Sequence, residues 1–149
     1  MSAMRHWKAR SVVEAAGTRW FNYAACLWAV VFAAPHVWWA LGISTGFPGG
    51  EGSYRFFMSS GWRYAFDLIV VALCVVAVGV ALALLRPRGW VPRVAAWIAC
   101  TMLTLRGVGG LVVDGAADPV WWPIFLTGGL LFGAVACVAR TPAPSSREE

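Results

Sequence analysis

The stretch WRYAFDLIVVALCVVAVGVALALL, residues 62–85, decides the fold class. From Leu68 to Leu85 it has no charged side chain, and about 18 such residues are enough for a transmembrane helix. Three further apolar stretches cover residues 20–41, 91–113 and 120–138. The sequence therefore predicts an all-α protein whose membrane domain, residues 20–138, is a four-helix transmembrane bundle.

The composition agrees with a membrane protein. The chain has 149 residues, of which 60% are hydrophobic and only 13% charged, a balance that is unusual for a soluble domain. Four helices of about 20 residues use nearly all of this length, so an active site has to lie within the bundle or at its mouth. The net charge of +5 comes from residues that flank the spans, which argues against nucleic-acid binding.

The basic residues also predict the topology. Lys and Arg concentrate in residues 1–19, in the turn around residues 86–93, and at Arg140. Cytoplasmic segments carry this excess, so both termini are expected in the cytoplasm of a multi-pass plasma-membrane protein. Residues 1–19 are expected to be a short surface helix or a mobile tail, and residues 139–149 a disordered tail.

Three ionisable residues interrupt the first three spans, namely His36, Asp67 and Arg106. Counting the helical rise from each span end places all three in one layer, about 6–8 Å beneath the outer surface. An Asp67–Arg106 ion pair would satisfy both charges, and His36 could join it by a hydrogen bond. Two interpretations stay open. The trio holds helices together, or it lines a polar pocket open to the outer leaflet, with His36 and Asp67 as candidate catalytic residues.

Aromatic residues gather at the same level and extend the candidate ligand-binding set around Arg106. They form either an interfacial belt or the wall of a cavity for a flat apolar ligand. The acidic turn before the fourth span adds two carboxylates. The residues predicted to contact a ligand beside Arg106 are Trp38, Trp39, Trp62, Tyr64, Trp121, Trp122, Asp114 and Asp118.

Small residues and cysteines have simpler interpretations. Gly129 and Gly133 form a G-x-x-x-G pattern, which lets helices approach closely. Packing within the bundle is favoured, with homodimerisation as the alternative. The four cysteines form no C-x-x-C pair and are interpreted as small apolar residues. The two histidines are far apart in sequence, so neither a metal site nor a cofactor is predicted.

Several motifs resemble a family of small bacterial four-span membrane proteins classed as a domain of unknown function. They are HVWWALG at residues 36–42, LRGVGGLVVD at 105–114, DPVWWP at 118–123 and GGLLFG at 128–133. The resemblance covers about residues 20–138 and implies a four-helix fold. Its marked positions are His36, Trp39, Gly42, Arg106 and Asp118. A weaker architectural likeness is to the sterol-isomerase and sigma-receptor-like superfamily, which holds apolar ligands inside a helical bundle.

Three functions fit these residues. In the first, an outer-leaflet pocket binds a lipid-like or isoprenoid molecule, with Arg106 holding its polar head and Asp67 orienting Arg106. In the second, the protein is an isomerase-type enzyme in which His36 transfers protons and Asp67 orients it. In the third, the chain is a structural or accessory subunit of another membrane protein, and the polar trio only joins its helices.

Overall fold

The computed structural model describes residues 2–86, 90–113 and 120–138, without the side chains of residues 2–18, 62 and 63. Within these ranges the chain forms helices and no strand. The five helices are α1 (Ser2–Ala40), α2 (Gly50–Met58), α3 (Gly61–Ala83), α4 (Trp90–Val113) and α5 (Trp121–Val138).

Four helices are long and apolar enough to cross a membrane. The spans are Arg19–Ala40, Tyr64–Ala83, Trp90–Val113 and Trp121–Val138, with mean hydropathies of 1.3, 2.8, 1.6 and 1.7. The all-α class and the four predicted spans are confirmed. Their ends differ from the predicted ends by at most two residues, because helix ends fray and have no sharp boundary.

Two local predictions need correction. The glycine-rich sequence of residues 42–61 predicts a loop, yet Gly50–Met58 form the short helix α2. Residues 1–19 were expected as a separate surface helix or a mobile tail, but α1 is one helix from Ser2 through the first span. The predicted tail at 139–149 lies outside the described residues.

The exposed surface is apolar, as a lipid-facing surface should be. Leu73, Val76, Val112 and Leu130 are each more than half exposed. The buried positions are mostly small or polar, including Ala29, Ala81 and Ala136. In lipid, burial of large apolar side chains gives no driving force between helices, so close contacts use small residues instead.

The helices divide into two compact units. The first, Leu27–Gly79, contains the second half of α1, the connecting segment with α2, and most of α3. Here α1 ends in a glycine-dependent cap. The N–H of Gly42 donates to the Trp39 carbonyl at 3.0 Å, and the N–H of Ile43 donates to the Trp38 carbonyl at 3.3 Å. This Schellman pattern needs a left-handed residue, which Gly42 supplies with φ of +91°.

The second unit contains α4 and α5, which pack as an antiparallel hairpin. A Cβ on Gly107 would lie 2.8 Å from the Leu126 side chain, and a Cβ on Gly133 would lie 3.0 Å from Cys100 Sγ. Gly129 faces Thr104 and the Cys100 carbonyl. Packing within the chain, the interpretation favoured for the G-x-x-x-G pattern, is therefore confirmed for Gly129 and Gly133.

Candidate functional site

A buried hydrogen bond between His36 and Asp67 forms the centre of the candidate site. His36 Nδ1 lies 2.7 Å from Asp67 Oδ1, which connects α1 to α3 within the first unit. His36 is 8% exposed and Asp67 is 2% exposed. From the sequence, His36 is a possible third member of an Asp67–Arg106 pair; in the structure it bonds directly to Asp67. Ionisable side chains at membrane depth are costly and usually paired, and this pair meets that requirement.

Each residue of the pair has a second polar atom that this hydrogen bond does not use. His36 Nε2 and Asp67 Oδ2 are buried and have no hydrogen-bond partner among the described residues. A carboxylate accepts hydrogen bonds, so Nδ1 carries a proton in this contact, and in the neutral form of the ring Nε2 is an acceptor. The carboxylate thereby fixes the tautomer and the direction of the ring, as it does for catalytic and metal-bound histidines.

Aromatic rings of α1 enclose the imidazole along one helix face. The Phe32 centroid lies 5.2 Å from the His36 ring, and the Trp39 centroid lies 5.3 Å from it in an edge-on arrangement. These residues are four positions before and three positions after His36, so the helical repeat brings them to one side. The wall beside His36 is therefore apolar and flat.

The segment that follows α1 folds back on this wall. Phe47 packs 5.0 Å from Trp39 and 5.4 Å from Tyr54 between ring centroids. The Tyr54 hydroxyl donates to the Trp39 carbonyl at 3.0 Å, and the Trp39 indole N–H donates to the Thr45 carbonyl at 3.4 Å. We call Trp39, Phe47, Tyr54 and Phe57 the aromatic cap. It fastens α2 to the α1 residues next to His36.

Substitution of Tyr54 by phenylalanine is expected to loosen this cap. The change removes one buried hydrogen bond, which is worth about 1 kcal/mol, but keeps the ring. Backbone amides of α2 should exchange with deuterium several-fold faster, about fivefold for that energy, in hydrogen–deuterium exchange mass spectrometry. Tyr64→Phe, on an exposed ring, should change nothing there. Equal exchange in α2 for both variants would contradict a fastening role for the Tyr54 hydroxyl.

The ion pair predicted between Asp67 and Arg106 stays a prediction, because the two residues belong to different compact units. Within its own unit, Asp67 Oδ1 is bonded to His36. Within the other unit, the guanidinium of Arg106 lies over the Phe125 ring of α5, 5.2 Å from the centroid. The axial depth of the three residues was estimated from the helical rise, but the rise carries no information about which way each helix face turns.

The other predicted ligand-binding residues differ in exposure. Trp39 is 4% exposed and contacts His36, whereas Trp38 is 49% exposed and Tyr64 is also exposed. The exposed pair fits an interfacial belt rather than a cavity wall. Trp121 and Trp122 are half-buried on α5. Asp114, Asp118 and the Trp62 side chain lie outside the described residues.

Sequence reasoning overlooked two contributors to the site and one buried polar residue of α1. Phe32 and Tyr54 complete the aromatic surroundings of His36. Asn22 is 1% exposed, and neither of its amide atoms has a partner among the described residues. A signal for Asn22 was present, because Asn22, Ala29 and His36 follow one another at seven-residue steps and therefore share a helix face.

No protein-family model, curated protein or solved structure matches the chain. The comparisons therefore lend no support to either family resemblance drawn from the motifs. The function has to be inferred from the chemistry of the His36–Asp67 pair and its surroundings.

Proposed function

We propose that the protein is an integral membrane protein that binds a lipid-like or isoprenoid molecule at His36 and exchanges a proton with it. The observation that carries this proposal is the 2.7 Å bond between His36 Nδ1 and Asp67 Oδ1, which leaves His36 Nε2 available. The Lys and Arg distribution favours the plasma membrane, with both termini in the cytoplasm.

The roles of the two residues follow from their hydrogen bond. Asp67 orients the imidazole and stabilises the imidazolium that forms when Nε2 accepts a proton. Imidazole is the side chain best suited to take up and return protons near neutral pH. An isomerisation balances with these groups alone, because a proton removed from one carbon of the ligand is returned to another carbon.

The surroundings favour an apolar ligand. Phe32, Trp39 and the aromatic cap present flat rings beside the imidazole, and apolar pockets with a few polar groups are typical of small-molecule sites. His36 is closed off in the structure, so the ligand needs a local opening. The aromatic cap lies beside His36 and is held by ring contacts and by two side-chain hydrogen bonds, so its displacement would open the site.

A purely structural role is the second candidate, favoured by the way that the pair joins α1 to α3. His36 Nε2 and Asp67 Oδ2, which have no partner among the described residues, argue against a purely structural role, because buried polar groups in native proteins are nearly always hydrogen-bonded. A pair selected only to join helices gains nothing from a free imidazole nitrogen. The experiment below separates the two candidates.

The test is mass spectrometry of small molecules extracted from the purified full-length protein. Wild type is compared with His36→Gln, which keeps a polar side chain able to bond Asp67 but cannot exchange a proton. His6→Gln, at the other histidine of the chain, serves as the matched control. We expect a specific lipid-like molecule in wild type and His6→Gln, and its loss or chemical change in His36→Gln. Only bulk membrane lipid in all three proteins would refute the proposal.

A further inference from the structure

We propose that the α4–α5 hairpin binds the phosphate group of a membrane phospholipid at Arg106. This proposal does not depend on the function proposed for the His36–Asp67 pair. It rests on the exposed position of Arg106 on a membrane-spanning helix and on the contacts of its guanidinium within the hairpin.

Arg106 carries its charge at membrane depth on an exposed surface. Helix α4 has 24 residues and is about 36 Å long, and Arg106 lies about 10 Å before its end at Val113. Met102, four residues before Arg106 and so on the same helix face, is exposed and apolar, as is the adjacent Leu105. The surface of α4 around the arginine is therefore apolar. A charged group in such a place needs a counter-charge.

Two contacts with α4 and α5 hold the guanidinium in place. Its carbon lies 5.2 Å from the Phe125 centroid, a cation–π distance. One of its nitrogens, Nη1, lies 3.6 Å from the position that a Cβ on Gly110 would occupy, which places the guanidinium beside Gly110. A ring contact uses the face of the guanidinium and leaves its N–H edge available for oxygen acceptors.

Trp122 adds an unsatisfied donor to the same part of the hairpin. Its Cβ lies 3.3 Å from the same position beside Gly110. Its indole N–H is buried and has no acceptor among the described residues. Arg106 Nη1 and the Cβ of Trp122 both lie next to Gly110, and both side chains carry N–H donors. Two neighbouring donor side chains fit a ligand with several oxygen acceptors, and phosphate is the common anion of that kind.

We assign the phosphate to a lipid rather than to a soluble phosphate ion. A long arginine side chain reaches from the apolar layer toward the headgroups, where every phospholipid presents a phosphate. A soluble phosphate ion would have to leave water to reach the same atoms. The hairpin thus places a donor group where a lipid phosphate is already concentrated.

The test uses full-length protein in detergent micelles containing phosphatidylglycerol, with retained lipid measured by native mass spectrometry. Wild type is compared with Arg106→Gln and with Arg55→Gln, a control arginine on α2 that is exposed and paired with Glu51 at 2.6 Å. We expect Arg106→Gln to retain about tenfold less phosphatidylglycerol, the value of one charged hydrogen bond, and Arg55→Gln to match wild type. Diacylglycerol, which lacks the phosphate, should be retained poorly by all three proteins.

Further variants keep the proposal testable if Arg106→Gln fails to fold. Arg106→Lys keeps the charge but loses the planar fork, and Trp122→Phe keeps the ring but loses the N–H; both should retain less phosphatidylglycerol than wild type. Equal retention by folded Arg106 and Arg55 variants would overturn the site. Displacement of the lipid by millimolar inorganic phosphate would overturn its assignment to a lipid.

Discussion

Replacement of either member of the His36–Asp67 pair by leucine is expected to destabilise the protein strongly, whereas replacement of both should not. Asp67→Leu leaves the Nδ1–H of a buried histidine without an acceptor, and His36→Leu leaves a buried carboxyl group without a donor. Breaking a buried pair from one side costs about 3 kcal/mol or more, but exchanging both partners for apolar residues is often neutral. The double variant should therefore be more stable than either single variant.

The measurement is a double-mutant cycle on equilibrium unfolding in mixed micelles, with Ile69→Leu on the exposed side of α3 as the control. A double variant as unstable as the sum of the single variants would show that the two side chains do not interact.

The same variants also test the proposed function. A stable double variant that still retains the co-purifying molecule would refute the role of His36 in binding while leaving the structural role intact.

Gly129→Leu is expected to cost about 3 kcal/mol by overpacking the α4–α5 hairpin. A Cβ at this position would contact the Thr104 hydroxyl, and it would lie 3.2 Å from the Thr104 backbone nitrogen and 3.3 Å from the Cys100 carbonyl oxygen. Two of these three atoms belong to the backbone of α4. They cannot turn away as a flexible side chain does, so the helices have to separate.

Gly79→Leu provides the control, because no atom lies within 4 Å of a Cβ on the exposed Gly79 of α3. Leucine is the better helix former, so this variant should equal or slightly exceed wild type in stability. Thermal unfolding of both variants in the same detergent is the readout. If Gly129→Leu matched Gly79→Leu in stability but changed the oligomeric state, the glycine pair would lie at an interface between copies instead.

The membrane spans could be predicted from the sequence because length and hydropathy are local properties. A helix must be about 20 residues long to cross the apolar core and must satisfy its own backbone, so the apolar stretches alone specify where the spans lie. Helix α2 could not be predicted in the same way. Its nine residues contain three aromatic residues and two glycines, and contacts such as that from Tyr54 to Trp39 hold it on the end of α1.

The candidate site was predicted in part. The sequence identified His36 and Asp67, since ionisable residues in an apolar stretch stand out by their cost in lipid. It did not single out the hydrogen bond between these two residues, because Arg106 carries the charge opposite to that of Asp67 and has a similar predicted depth. In the structure, the Asp67 carboxylate is bonded to His36, and the Arg106 guanidinium lies over the Phe125 ring.

The sequence by itself determined that this chain is all-α, that it has four candidate spans, and that three of them carry an ionisable residue. Only the tertiary structure decided that His36 contacts Asp67, that Trp39 faces the imidazole, and that the glycines of α5 pack against α4. The physical reason is that the helical rise gives position along an axis, while partners depend on rotation about that axis. Rotation is set by the packing of neighbouring side chains, which no single stretch of sequence contains.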